Sequence, residues 1–383
     1  MITSSRRTLA LALRIVRQFL RDRRTLALLF VAPLVIMTIL NLVLGSTSSD
    51  LRLAIVPPSG VSGAAIETQL TSALASAHGV KVTLISADQV DATLKAGDAD
   101  AALIFPSDFV QTLVSGGQPH VTLRLDGSNP PAAQQAKQVA AFALSSLGSL
   151  RPAPGAPGAP GASQTPDAAP VALDTTYLYG GPQYTQTDAL APMFIGLFSF
   201  FFVFLLASVA FLRERSQGTL ERVLVSPLSR TELTLGYVLG FTLFATIQSL
   251  VILGFVIYVL KVHYAGNPWL LFLVTLALTI GGVNMGIFAS AYARNELQVV
   301  QFIPLLIVPQ ALLGGLFFPV RTLPIILKQI AYVMPLTWAN FALQDVMLKG
   351  LGLPDIWPDL VVLVAFAALM VVAAALSLRQ ERA

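Results

Sequence analysis

The charge-dense segment 213–232, RERSQGTLERVLVSPLSRTE, carries the most distinctive chemistry in this 383-residue chain. That chemistry is non-covalent. Arg213, Glu214, Arg215, Glu221 and Arg222 are ion-pairing groups, while Leu220, Val223 and Leu224 recur three or four apart, as on one face of a helix. Pro227 stops that helix, and Ser229 with Glu232 forms a capping box that starts the next one. A short, rigid, amphipathic helix of this kind can pass force from a soluble partner into a larger assembly. The alternative is a solvated connector.

Covalent and metal chemistry find little support. The chain has no cysteine, which excludes disulfides, thiol catalysis and Cys-based metal sites. His78, His120 and His263 stand alone, without ligand spacing. No GxxxxGK[ST] loop is present, so the chain is not expected to bind ATP by a Walker loop. Within the apolar stretches the polar candidates are neutral: Asn41, Gln248, Asn284 and Gln310. Amides suit hydrogen bonds between helices, whereas proton and ion relays need ionisable groups. This argues against secondary transport, intramembrane proteolysis and metalloenzyme activity, and for a chain with no cofactor of its own.

The elements that must position segment 213–232 are membrane spans. Stretches 25–44, 190–212, 237–260, 269–291, 302–320 and 359–378 are each long and apolar enough to cross a hydrocarbon core of about 30 Å. Composition agrees, with 55% hydrophobic and 11% charged residues and a mean hydropathy of +0.73. The expected fold is a polytopic α-helical membrane protein with six transmembrane helices and an extracytoplasmic α/β domain inserted between the first two. Arg6, Arg7, Arg14, Arg17, Arg21, Arg23 and Arg24 crowd the first span, which places the N-terminus inside by the positive-inside rule. Residues 50–188 are then outside, with six Lys/Arg against eleven Asp/Glu. Loop 213–236 and tail 379–383 are inside, and the expected location is the plasma (inner) membrane.

Residues 1–24 read as an amphipathic helix leading into the first span, with Leu9, Leu11, Leu13, Ile15, Val16, Phe19 and Leu20 among the arginines. Domain 45–150 alternates strands at 52–56, 80–85, 101–105 and 121–125 with helices at 62–77, 87–95 and 130–146, a pattern for a largely parallel sheet. Residues 151–188 form a Pro/Gly/Ala-rich linker and the re-entry to the membrane. Region 189–378 holds the remaining five spans. Within it, 321–357 includes an apolar run at 330–346 that Pro335 interrupts, which predicts two short re-entrant or interfacial helices rather than a seventh span. Gly282, Gly286 and Ser290, and likewise Gly236 and Gly240, are small residues four apart that allow close helix packing or dimerisation.

With these residues in view, the chain resembles the ABC type-2 exporter permeases, the family that includes bacterial drug-efflux permeases. RERSQGTLERVLVSPLSRTELTLG resembles that family's cytoplasmic loop. LDGSNP at 125–130, FFPVRTLP at 317–324 and YVMPLTWANFAL at 332–343 also match in place. The resemblance implies one permease half of a homodimer or heterodimer, embedded in the bilayer and docked on a separate cytosolic ABC ATPase that carries the ATP and Mg. It implies that Glu214, Arg215, Gly218, Thr219, Glu221 and Arg222 couple to that ATPase, and that the N-terminal helix is a connecting helix. Phe317, Phe318, Pro319, Pro335 and Trp338 would belong to an outer gate. The implied function is export of an amphiphilic or hydrophobic substrate, such as a drug or lipid, with no nucleic acid involved. The alternatives are a membrane-anchored surface or assembly protein whose outer domain does the work, and a passive channel, which would show rings of charge.

Overall fold

The structure, a computed structural model, describes residues 2–44, 51–58, 80–115, 117–146, 171–217, 229–293, 295–316 and 319–380. The chain forms two compact units, one of Met1–Val43 with Leu190–Ala383 and the other of Leu44–Ala189. It begins with two helices, α1 (Ile2–Arg21) and α2 (Arg23–Leu44), separated by Asp22 alone.

The second unit is an α/β sandwich. Its strands are β1 (Leu51–Val56), β2 (Val80–Leu84), β3 (Ala101–Ile104), β4 (His120–Asp126) and β5 (Ala172–Tyr179), in the sheet order β2-β1-β3-β4-β5. Every pairing is parallel except β3 with β4. Its helices are α3 (Val90–Ala96), α4 (Phe109–Val114) and α5 (Pro130–Ser146). Alternation along the interior strand β1 sends Leu51, Leu53 and Ile55 to the layer of α5, with Ala132, Ala136 and Ala140. Ala54 and Val56 pack on the other face with Val90 and Leu94 of α3. The fifth strand corrects the sequence reading, which leaves 172–179 in the linker and re-entry segment. Its Thr- and Tyr-rich sequence has strand propensity, but the adjoining proline-rich stretch hides it. The expected helix at 62–77 and linker 151–170 lie outside the described residues.

Two polar features hold the sheet's central crossover. Asp100, only 4% exposed, accepts from the Arg52 backbone N–H at 2.9 Å, from Arg52 Nε at 3.1 Å and from Nη2 at 2.9 Å. Arg52 Nη1 also donates to the Gly97 carbonyl at 2.7 Å. Hydrogen bonding to Asp100 holds the Arg52 pKa above its ordinary value. The LDGSNP stretch is the turn from β4 into α5: Asp126 Oδ1 accepts from Ser128 N–H at 3.0 Å and from Ser128 Oγ at 2.7 Å. Asn129 Nδ2 lies 3.5 Å from Asp100 Oδ1, so its side chain joins the Arg52–Asp100 pair.

The first unit is helical. It contains α1 and α2, then α6 (Gln186–Ser216), α7 (Arg230–Gly254), which continues through a π turn Phe255–Val259, α8 (Pro268–Ala291), α9 (Glu296–Leu313), α10 (Ile325–Val333), α11 (Pro335–Lys349) and α12 (Leu353–Gln380). Among the described residues, six helices are long and apolar enough to cross a membrane: Arg23–Leu40, Gln186–Ser216, Leu235–Val259, Pro268–Ala291, Glu296–Leu313 and Leu353–Ser377. The fifth differs from the expected 302–320. Asn295 caps it by accepting from Gln298 N–H at 2.8 Å, and Gly315, at φ +93°, follows its last turn. The two short helices expected around Pro335 are α10 and α11, separated by Met334 in extended conformation with Pro335 in the first turn of α11.

Gly127 gives a stability test. A Cβ there would lie 2.0 Å from the Tyr179 carbonyl oxygen and 3.0 Å from the Tyr177 ring, so the ends of β4 and β5 would have to part. Gly127→Ala is expected to destabilise the sheet by about 1–3 kcal/mol. Thermal unfolding of the purified full-length chain checks this, and an unchanged midpoint would refute the contact.

Candidate functional site

The end of the helical unit where α6 finishes and α7 begins carries the site. Successive helical residues are turned by about 100°, so three consecutive side chains leave the helix in three directions. Arg213, Glu214 and Arg215 use this to reach different neighbours.

Arg213 points toward the start of α9 and the α1–α2 junction. Its Nε donates to Glu296 Oε1 at 2.7 Å and its Nη2 to Glu296 Oε2 at 3.3 Å. Its Nη1 lies 3.5 Å from Asp22 Oδ2. These groups are about half exposed, so each pair contributes only about 0–1 kcal/mol, and their role is to set position. Asp22 also caps α2, accepting from Thr25 Oγ1 at 2.5 Å and from Thr25 N–H at 3.1 Å. The Thr25 hydroxyl, and then its backbone N–H, holds the Asp22 carboxyl below the ordinary carboxylate range.

Glu214 points inward. It is 3% exposed and accepts a hydrogen bond from the hydroxyl of Tyr237 on α7, which is fully buried. The Tyr237 ring packs edge-on against Phe211, with centroids 5.1 Å apart, and stacks on Phe241 at 6.2 Å. Arg14 of α1 is the positive charge that acts on this carboxylate. Arg215 turns to the end of α8, where its Nη1 donates to the carbonyls of Ser290 at 3.2 Å, Ala291 at 2.9 Å and Ala293 at 3.4 Å. A cation at a helix C-terminus satisfies orphan carbonyls and complements the helix dipole.

Helix α1 completes this end. Leu11, Ala12, Ile15 and Phe19 are buried, and α1 packs along α7. A Cβ at Gly236 would meet the Leu11 side chain at 2.6 Å, and one at Gly240 would meet Ile15 at 3.1 Å. The Phe19 ring meets Phe241 edge-on, with centroids 5.5 Å apart, and lies tilted against Phe244 at 5.4 Å. The Gly236/Gly240 pair thus seats the amphipathic helix. The second small-residue row is also used within the chain: a Cβ at Gly282 would meet Phe200 at 3.0 Å, and one at Gly286 would meet the Phe204 carbonyl at 2.7 Å, both on α6. Ser290 supplies one of the carbonyls that Arg215 binds. The capping box is present, with Ser229 N–H donating to Glu232 Oε2 at 2.7 Å and Glu232 N–H to Ser229 Oγ at 3.3 Å.

The structure therefore brings together Glu214, Arg215, Gly236, Gly240 and Ser290. Gly218, Thr219, Glu221 and Arg222 lie outside the described residues, as do Phe317 and Phe318. Pro319 opens the turn Val320–Thr322, and Pro335 begins α11. Trp338 donates its Nε1–H to the Tyr332 carbonyl at 2.7 Å and packs on the Tyr332 and Phe341 rings. The site also contains Tyr237, Asp22 and Glu296, which sequence reasoning does not single out. Of the neutral candidates, Asn284 and Gln310 bond within their own helices and Gln248 Nε2 lies 3.5 Å from the Phe198 carbonyl. The side chain of Asn41 lies outside the described part. A further amide, Asn340, donates from Nδ2 to the Gly314 carbonyl at 2.6 Å and so ties α11 to the end of α9.

Tyr237→Phe removes the hydroxyl from a buried carboxylate and is expected to cost about 1–3 kcal/mol. Tyr292, 58% exposed at the end of α8, supplies the comparison: Tyr292→Phe should leave the thermal midpoint unchanged. Equal midpoints for both variants would show that the Glu214 bond contributes nothing to the fold.

Comparison with known proteins agrees with this architecture. The chain is 23% identical over 362 residues to the probable multidrug ABC transporter permease YbhS of Escherichia coli, covering 91% of this chain and 90% of that one. It is 29% identical over 190 residues to the linearmycin resistance permease protein LnrN of Bacillus subtilis, 48% of each chain. It is also 29% identical over 214 residues to ABC transporter G family member 20 of Dictyostelium discoideum, where the match covers 55% of this chain and 29% of the longer protein. The profile of the ABC-2 family transporter proteins matches residues 23–376. The chain belongs to the ABC-2 family of transporter proteins and is a multi-pass membrane permease of an ABC transporter.

Proposed function

We propose that this permease exports an amphiphilic or hydrophobic compound, driven by ATP hydrolysis on a separate ABC ATPase subunit that docks at the end of the helical unit formed by 213–236. The observation that carries the reading is the trio Arg213, Glu214 and Arg215 at the end of α6, tied respectively to Glu296 and Asp22, to Tyr237 and to the end of α8. A push on the segment that follows α6 reaches every one of these elements at once. Glu214 and Arg215 serve this as positioning residues, since their side chains bind the permease itself. Gly218, Thr219, Glu221 and Arg222 are the groups left to meet the ATPase, and ATP and Mg belong to that partner. The names of the bacterial relatives, a multidrug permease and a linearmycin resistance permease, favour efflux. Phe317, Phe318, Pro319, Pro335 and Trp338 form the outer gate in this reading, two permease halves make the pathway, and the membrane is the plasma membrane.

Coupling has a direct test. Glu221→Ala with Arg222→Ala touches no span and keeps helix propensity. Desolvated interface charges cost several kcal/mol when removed, so the double variant is expected to insert normally but lose co-purification of the ATPase or its substrate-stimulated turnover. Wild-type values for both would overturn the docking assignment.

Orientation follows the arginine cluster: both termini inside and the α/β unit outside. The chain has no cysteine, so single thiols report cleanly. Ser115→Cys on the α/β unit is expected to react with an impermeant thiol reagent in intact cells, and Ser216→Cys at the end of α6 only after permeabilisation. The opposite pattern would invert the topology.

A further inference from the structure

Helices α11 and α12 form an antiparallel hairpin. Gly350, at φ +70°, ends α11, and Leu351 N–H donates to the Asp345 carbonyl at 3.0 Å, so the chain doubles back into α12 within residues 350–352. This sets Asp345 of α11 beside Asp359 of α12, and Asp345 is the charge that acts on Asp359. The two carboxylates are held differently. Asp345 Oδ1 accepts from Lys349 Nζ at 2.7 Å, one turn along the same helix, and its Oδ2 has no partner among the described residues. Asp359 is 9% exposed, and neither of its oxygens has a hydrogen-bond or ion-pair partner among the described residues. The other helices packed on α12 offer it no cation. Helix α8 contains no charged residue. The α7–α8 loop meets the end of α11, where Ala265 N–H donates to the Met347 carbonyl at 2.8 Å, so Arg230 and Glu232 at the start of α7 lie at the far end. A carboxylate withdrawn from water without a counter-charge is among the costliest arrangements a fold can hold.

We propose that Asp345 and Asp359 bind a hydrated divalent cation, Mg²⁺ or Ca²⁺, which pins α11, the helix that begins at Pro335 and carries Trp338, to the last span. The donor atoms select the class of ion. Both side chains supply hard carboxylate oxygens, which suit Mg²⁺ and Ca²⁺ rather than the softer transition metals. Two carboxylates fill part of the coordination sphere and water fills the rest, an arrangement common for Mg²⁺. The side chain of Asp345 is 26% exposed, which leaves an entry path for the ion and its water. Lys349 guards that path. It is 27% exposed in the last turn of α11, so it can swing into water and still face the C-terminal carbonyls of its helix. The ion then takes its place on Asp345. A proton would satisfy Asp359 alone and leave the Asp345–Lys349 pair as it stands, so the two occupants differ in what they ask of Lys349.

The test is equilibrium dialysis of the purified full-length chain in a neutral detergent against radioactive Ca²⁺, after stripping with EDTA, near neutral pH and at constant ionic strength, with Mg²⁺ as competitor. Half-saturation is expected at about 0.1–1 mM, the range of weak extracellular Ca²⁺ sites. Asp359→Asn should abolish the binding, and Asp345→Asn should raise the half-saturating concentration about tenfold. Lys349→Met, which frees Asp345, should lower it about twofold, the worth of a surface pair one turn apart. Asp91→Asn, on the α/β unit, should leave it unchanged. The thermal midpoint should rise with Ca²⁺ in the wild-type chain and stay fixed in Asp359→Asn. Binding that survives Asp359→Asn, or that weakens in Lys349→Met, would overturn the site. Absence of saturable binding to the wild-type chain would also overturn it, and a higher midpoint for Asp359→Asn in EDTA would then assign the position to a proton alone. Neither ATP hydrolysis nor transport enters these measurements, so the exporter reading stands or falls separately.

Discussion

A carboxylate with almost no water around it must be paid for by its neighbours. Glu214 is in that position, and the end of the helical unit is arranged around it: the Tyr237 hydroxyl donates to it, Phe211 and Phe241 wall the tyrosine, and Arg14 supplies the opposing charge. Each of these groups sits on a different part of α1, α6 or α7. The bond ties the rotation of α6 about its axis to that of α7, and the charge of Arg14 acts on the pair from α1. Arg213 and Arg215, one residue either side, extend the same constraint to α2, α8 and α9. A run of polar residues at a helix end becomes a joint because the helix turns about 100° per residue.

The rest of the bundle is held chiefly by close approach of backbones, with the Asn340–Gly314 bond as a polar tie between α11 and α9. Inside a membrane, apolar side chains gain nothing by leaving lipid, so packing and small residues do the work. Gly282 and Gly286 bring α8 against Phe200 and Phe204 of α6, while Gly196 admits the Asn340 amide of α11, whose Oδ1 would be 2.8 Å from a Cβ there. The α/β unit follows the rules of soluble proteins instead, with a sheet between α5 and α3 and a partly buried Arg52–Asp100 pair across its crossover.

The legible parts of the sequence are those where local chemistry dictates structure. Span number follows from uninterrupted apolar length, the Ser229–Glu232 box from a spacing of three, and the Met334 break from Pro335. What stays hidden depends on distant partners. Nothing near Glu214 in the sequence says that it is buried, because Tyr237 lies beyond the whole following loop. Glu214 and Arg215 read as surface charges for the same reason. Gly236 and Gly240 read as a contact between spans, yet the surface they fit belongs to α1, more than two hundred residues earlier. β5 is hidden by its neighbours: a strand directly after a proline-rich tract and just before a span reads as part of the connection between them.

The junction between α1 and α2 carries a mechanical consequence. One residue, Asp22, separates the two helices, and its side chain is already committed to Thr25 and Arg213. A connector that short has no slack. Any tilt of α1, which lies along α7, is delivered to the base of α2 as torque, with no loop to absorb it. The junction is thus a rigid elbow, in which the direction of the first helix and that of the second are set together.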